Sequence, residues 1–161
     1  MLFVFRVDAS NNIGGGHVTR CLRLARHFKK LGIHSSFITH DYVGNLNYKI
    51  IQEGYDLHVI KTQDKEETEN IKNSSLEYDW KSDASFTKKY LKILKKKIDL
   101  LIVDSYFLDA KWEIELKNYV KNLLVIDDLY GRTHYCDFFL DQGFKAENKG
   151  TQFLLDTCKK L

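Results

Sequence analysis

The sequence predicts an α/β domain: a Rossmann-like parallel sheet with helices on both faces. Three observations carry that reading. Short apolar runs alternate with longer segments whose apolar residues recur at helical spacing, a repeated β-α pattern. Two of the runs, Leu100-Leu101-Ile102-Val103 and Leu123-Leu124-Val125-Ile126, are continuously apolar, so their strands have no wet face, as in a sheet covered on both sides. A glycine triplet, Gly14-Gly15-Gly16, separates the first apolar run from the first helical segment.

In chain order, residues 2–7 form a strand and a helix follows over about 16–31. Its apolar positions Val18, Cys21, Leu22, Ala25, Phe28 and Leu31 fall on one stripe, and Gly32 stops it as a C-terminal glycine. Residues 34–39 are a second strand, 44–53 a helix ended by Gly54, and 57–60 a third strand. Over 61–79 the pattern dissolves into charged and amide residues, which is either a long surface loop, as a functional flap or a variable insertion, or a poorly packed short helix. Ser82-Asp83 then reads as the N-cap of a helix to about 97, with Phe86, Tyr90, Ile93 and Leu94 on one face. A strand over 98–103, a helix over 110–120, a strand over 123–126 and a strand over 138–140 complete the series.

The 161 residues suffice for one substantial core and not for two full domains, and 43% apolar content separates the chain from disordered sequences. A net charge of +3 does not suit a dedicated nucleic-acid binder, and no apolar run approaches a membrane span. Neither nucleic acid nor membrane is therefore an expected partner. The absence of proline excludes polyproline segments. Three cysteines, Cys21, Cys136 and Cys158, with no C-x-x-C spacing, fit a reducing, cytoplasmic setting.

Ligands of open α/β sheets sit beyond the carboxyl ends of the strands, which directs attention to residues 8–17, His40-Asp41, Asp104-Ser105-Tyr106 and Asp127-Asp128. The loop at 14–16 allows close backbone approach and presents amides at a helix N-terminus, which favours an anionic group; a tight turn with no ligand gives the same pattern. Thr19 replaces the third glycine of a dinucleotide fingerprint, and no Gly-Lys-Ser/Thr follows. His17 lies in the first helical turn, where the positive end of the helix disfavours imidazolium and suits the ring to accept a proton; capping or packing is the alternative. His17 and Cys21 stand at i, i+4 without further ligands nearby, so no metal is expected. Tyr106 is placed to orient a sugar and Asp104 to accept its hydroxyl hydrogens, or both serve as a strand-end cap. Asp127 and Asp128 point apart and cap the turn towards Gly131, while His134 and Cys136 carry no assigned role.

Several ordered blocks resemble one family. Arg6-Val7-Asp8-Ala9-Ser10, Ile13-Gly14-Gly15-Gly16-His17-Val18, Arg20-Cys21-Leu22 and Leu24-Ala25 are similar to the N-terminal signature of PseG-type nucleotide-sugar hydrolases. These are the UDP-2,4-diacetamido-2,4,6-trideoxy-β-L-altropyranose hydrolases of pseudaminic acid biosynthesis, relatives of the MurG-like glycosyltransferases. The resemblance continues through Asp83-Ala84 with Thr87, residues 99–106 with Leu108-Asp109-Ala110 and Trp112-Glu113, then Ile126-Asp127-Asp128-Leu129, Arg132, His134, Cys136-Asp137 and Leu140-Asp141-Gln142.

The resemblance implies a GT-B-like architecture, two Rossmann-like domains facing across a cleft, of which residues 1–142 are the N-terminal one. It implies hydrolysis of a UDP-linked sugar at the anomeric carbon with inversion and no cofactor or metal. By position it places the catalytic base on His17, the Tyr of the family's Asp-x-Tyr motif on Tyr106 and the glycine loop on Gly14, Gly15 and Gly16; with Asp8 and Asp104, read from their places after strands, these are the expected substrate contacts. The chain departs from the family pattern at Ser105, Phe107 and Gly143, and residues 143–161 form a divergent tail where the second domain is absent. A separately encoded C-terminal domain is then the expected partner, beside the UDP-sugar. An inactive or partner-dependent binding fragment and a glycosyltransferase-related domain are the alternatives.

Overall fold

Each apolar run becomes a strand in the computed structural model, which describes residues 1–62, 78–129 and 131–141. The elements are β1 (Leu2–Val7), α1 (Gly16–Lys30), β2 (His34–His40), α2 (Asn47–Gln52), β3 (Asp56–Ile60), α3 (Trp80–Ile93), β4 (Ile98–Asp104), α4 (Ala110–Lys117), β5 (Val120–Ile126) and β6 (Phe138–Leu140). All pairings are parallel, and the order across the sheet is β3-β2-β1-β4-β5-β6. The central strands are buried on both faces, as continuous apolar runs require. Phe5, Val7, Phe37 and Ile102 pack under α1 and α2, with the Phe5 and Phe37 rings stacked 4.7 Å apart. Val4, Ile38, Leu101 and Val103 pack on the other face against Leu91 of α3 and Trp112 and Leu116 of α4.

Several expected boundaries move: the helix expected over 110–120 ends at Lys117 and leaves Val120 to β5, and the helix expected to run to about 97 ends at Ile93. The helix expected over 44–53 begins only at Asn47, because Gly44 adopts φ +79° and the chain ahead of it turns back across the glycine loop. The helix expected to open at Ser82-Asp83 opens at Trp80, with the Asp79 carboxylate accepting from the Ser82 amide. Its inward face carries Asp83, Ala84, Thr87, Tyr90 and Leu91, whereas Ile93 is 67% exposed. Asp83 on that face pairs with the buried Arg6 of β1 and accepts from Thr87, so an apolar stripe alone misplaces it. The stretch over 61–79 falls largely outside the described residues, as does the tail over 143–161.

The link from β5 to β6 is held by a buried histidine. His134 bridges Glu113 of α4 through Nδ1, at 2.6 Å, and Asp127 at the end of β5 through Nε2, at 2.9 Å. Burial alone would lower its pKa, but the two carboxylates outweigh that and push it up to about 9. The folded value lies above the ordinary histidine value of 6.5, so the bridge contributes fully below about pH 6.5 and fades as pH rises through about 9. Thermal unfolding midpoints of the wild type therefore fall between about pH 7 and 9.5 more steeply than those of His134→Gln. At neutral pH, His134→Ala costs roughly 3 kcal/mol in denaturant unfolding, because two buried carboxylates lose a shared donor.

Candidate active site

β1 and β4 lie side by side, yet the chain leaves them towards opposite edges of the sheet, which makes the gap beyond their carboxyl ends the switch point of the fold. The register sets Val7 beside Asp104. Asp104 follows Leu100 and Ile102 in pointing to the α1 side, where α1 presents His17, Arg20 and Cys21 to it.

His17 Nδ1 is 2.5 Å from Asp104 Oδ1. Arg20 donates to the same carboxylate through Nε to Oδ2 and Nη2 to Oδ1, each at 2.5 Å, and the Cys21 thiol donates to Oδ2 at 3.4 Å. Burial opposes ionisation of Asp104, but the hydrogen bonds from Arg20 and His17 prevail and hold its carboxyl below the ordinary range. Burial beside that carboxylate pushes the Cys21 thiol up, so it remains a donor. An ionised carboxylate only accepts; at 2.5 Å the proton between it and His17 therefore belongs on Nδ1, which leaves Nε2 as the ring's site for a further proton. The Tyr106 ring meets His17 edge to face, with centroids 4.5 Å apart, and its hydroxyl donates to Asp128 at 2.7 Å. Burial and that carboxylate raise the hydroxyl to about 12, which keeps it a donor.

The three glycines have three different physical reasons. Gly14 adopts φ +80°, where a side chain is strained, in a turn closed by its amide on the Ser10 carbonyl at 2.8 Å. A Cβ on Gly15 would come within 2.7 Å of Leu46 Cδ1, so the close approach expected for a ligand is here made by the chain itself. Gly16, at the start of α1, has neither a positive φ nor any neighbour within 4 Å of a Cβ, so neither strain nor packing excludes a side chain there. Gly15, the N-cap of α1, offers no side-chain cap to the first-turn amides. The loop is anchored by the Asn11 amide on the Val43 carbonyl at 3.0 Å, and Gly44 lies so close to Asn11 that a Cβ would overlap it.

Asp8 does not join His17. It pairs on the opposite face with Arg6, whose guanidinium is fully buried and lies 2.7 Å from Asp8 through Nη1 and 2.5 Å from Asp83 through Nη2. Burial works against the Asp8 charge, but Arg6 and His40 outweigh it and the carboxyl stays well below the usual range. Asp83 also accepts from Trp112 Nε1 at 2.8 Å and from the Tyr78 hydroxyl at 2.7 Å. This network locks β1, β2, α3 and α4 together just beneath the strand ends. The signal for it in the sequence is Arg6 itself, a charge inside an apolar strand that burial obliges to be paired. Nothing comparable marks Arg20, which has the appearance of a surface residue on a helix.

A similar arrangement of strands and helices occurs in the crystal structure of Acinetobacter baumannii MurG, with a TM-score of 0.55 at 14% sequence identity over 81% of this chain. The fold is the N-terminal half of a GT-B-like fold. The chain spans 36% of the length of that MurG structure. No protein-family model matches the sequence, and no curated protein matches it. Among the described residues no helix is long and apolar enough to cross a membrane.

The glycine assignments separate by stability. Gly14→Ala lowers unfolding free energy by about 1–2 kcal/mol through left-handed strain, whereas Gly16→Ala leaves it unchanged or slightly higher. Denaturant melts of the two variants check this.

Proposed function

We propose that the chain is the base-bearing domain of a cytoplasmic nucleotide-sugar hydrolase that releases UDP and a free diacetamido-trideoxyhexose. The observation that carries the reading is the His17–Asp104 pair at the switch point, which leaves one imidazole nitrogen able to take a proton. Nε2 of His17 removes a proton from water, and the water oxygen forms a bond to the anomeric carbon. The bond from that carbon to the UDP oxygen breaks on the opposite side, inverting the centre, and the electron pair leaves on the diphosphate. Because the diphosphate is already a stabilised anion, one base suffices where ordinary glycosidases use two carboxylates. The uncapped start of α1 with open space at Gly16 suits the anionic leaving group, and Tyr106 beside His17 suits a sugar ring. The PseG-like blocks of sequence supply the sugar class, and a second Rossmann-like domain facing this one would complete the cleft.

The likeness to MurG in fold supports a second reading, in which an acceptor hydroxyl occupies the place of water and the sugar is transferred. Product analysis separates the two. Incubated with the UDP-sugar in isotopically labelled water, the chain, alone or with a C-terminal domain supplied, is expected to release UDP and place the label in the sugar. Label in UDP, or no UDP release in either case, overturns the proposal. His17→Ala is expected to slow release by about 10²- to 10⁴-fold with little change in substrate affinity.

A further inference from the structure

α1 places a guanidinium one turn beyond His17. The side chain of Arg20 is 17% exposed, and its planar fork meets the Asp104 carboxylate edge to edge, one nitrogen on each oxygen. A carboxylate held only by an imidazole on one oxygen and a thiol at 3.4 Å on the other can still rotate and exchange its oxygens, and burial favours its neutral form. The fork removes both freedoms: it fixes the plane of the carboxylate and supplies the charge that keeps it ionised. Arg20 Nη2 also lies 3.0 Å from His17 Nδ1, so a carboxylate turned away from the ring would leave the guanidinium to donate to Nδ1 and would move the ring proton to Nε2. The orientation of Asp104 therefore decides which nitrogen of His17 is the acceptor. The other groups around the pair are the Cys21 thiol on Oδ2, the Tyr106 ring edge on His17, and Asp128 beyond the Tyr106 hydroxyl.

We propose that Arg20 is the positioning residue of the His17 base, fixing both oxygens of Asp104 so that Oδ1 receives the Nδ1 proton and Nε2 faces the reaction as the open acceptor. The inference rests on the reading of His17 as the base, but its test needs no turnover. Lysine at this position keeps the charge and loses the fork, so it restores the arrangement only in part.

The test is nitrogen–proton correlation NMR on the full chain labelled with ¹⁵N-histidine at neutral pH. In the wild type His17 is expected to carry its proton on Nδ1, with a downfield hydrogen-bonded signal, and to show an unprotonated Nε2. In Arg20→Gln that signal is lost and the ring becomes a mixture of tautomers; Arg20→Lys lies between. His134, bridging Glu113 and Asp127 on the other face of the sheet, reports in the same spectra that the fold is intact. A wild-type ring protonated on Nε2, or an Arg20→Gln ring unchanged while His134 is unchanged, overturns the proposal. If Arg20→Gln disturbs His134, Arg20→Lys decides: a weakened Nδ1 signal upholds the proposal and an unaltered one overturns it. Intact spectra without UDP release would instead overturn the hydrolase reading and leave the role of Arg20 standing.

Discussion

Three strands of the sheet end on buried carboxylates, and each needs a cation. Asp8 after β1, Asp104 at the end of β4 and Asp127 after β5 are all less than 5% exposed. Parallel strands buried on both faces leave no water to solvate charges at their ends, so an unpaired carboxylate there costs several kcal/mol. Each is answered from a different place: Asp8 by Arg6 of its own strand, Asp104 by Arg20 and His17 of α1, and Asp127 by Arg132 and His134 from the link to β6. All three carboxyls are held below their ordinary range despite burial.

These pairings do different work because they face different ways. Arg6 with Asp8 and Asp83, and His134 with Asp127 and Glu113, are enclosed by α3 and α4 and clamp those helices to the sheet. The Asp104 cluster faces α1, where the glycine loop keeps the helix start open, and there the same requirement for a paired carboxylate orients an imidazole. The same constraint thus clamps helices on one face and sets the hydrogen bond of a ring nitrogen on the other. The glycine loop divides in the same manner, with Gly14 serving the turn, Gly15 its contact with Leu46, and Gly16 neither.

The architecture was legible in the sequence because it depends on local periodicity. Continuous apolar runs at 100–103 and 123–126 gave doubly buried strands, and Gly32 ends α1 with φ +73° as its position demands. The start of α2 and the inward face of α3 were not legible. Both depend on partners far along the chain: Asn11 against Gly44, and Arg6 against Asp83, 77 residues apart. The same holds within the site. His17, Asp104 and Tyr106 stand out by their places after strands and converge as those places suggest, but Asp8 turns to the other face because its parity follows Arg6. Arg20 and His134 carry no local mark, since their meaning is fixed by carboxylates elsewhere in the fold: Asp104, 84 residues from Arg20, and Asp127 and Glu113, 7 and 21 residues from His134.

The central claim is that Asp104 makes His17 a base. The most direct measurement is single-turnover UDP release by Asp104→Asn, which keeps the shape of the side chain and removes its charge. The account predicts a fall in the rate of roughly 100-fold or more with substrate affinity within a few-fold of wild type, because an amide no longer dictates which nitrogen carries the proton. A rate within a few-fold of wild type, from a variant that retains its fold, would contradict it.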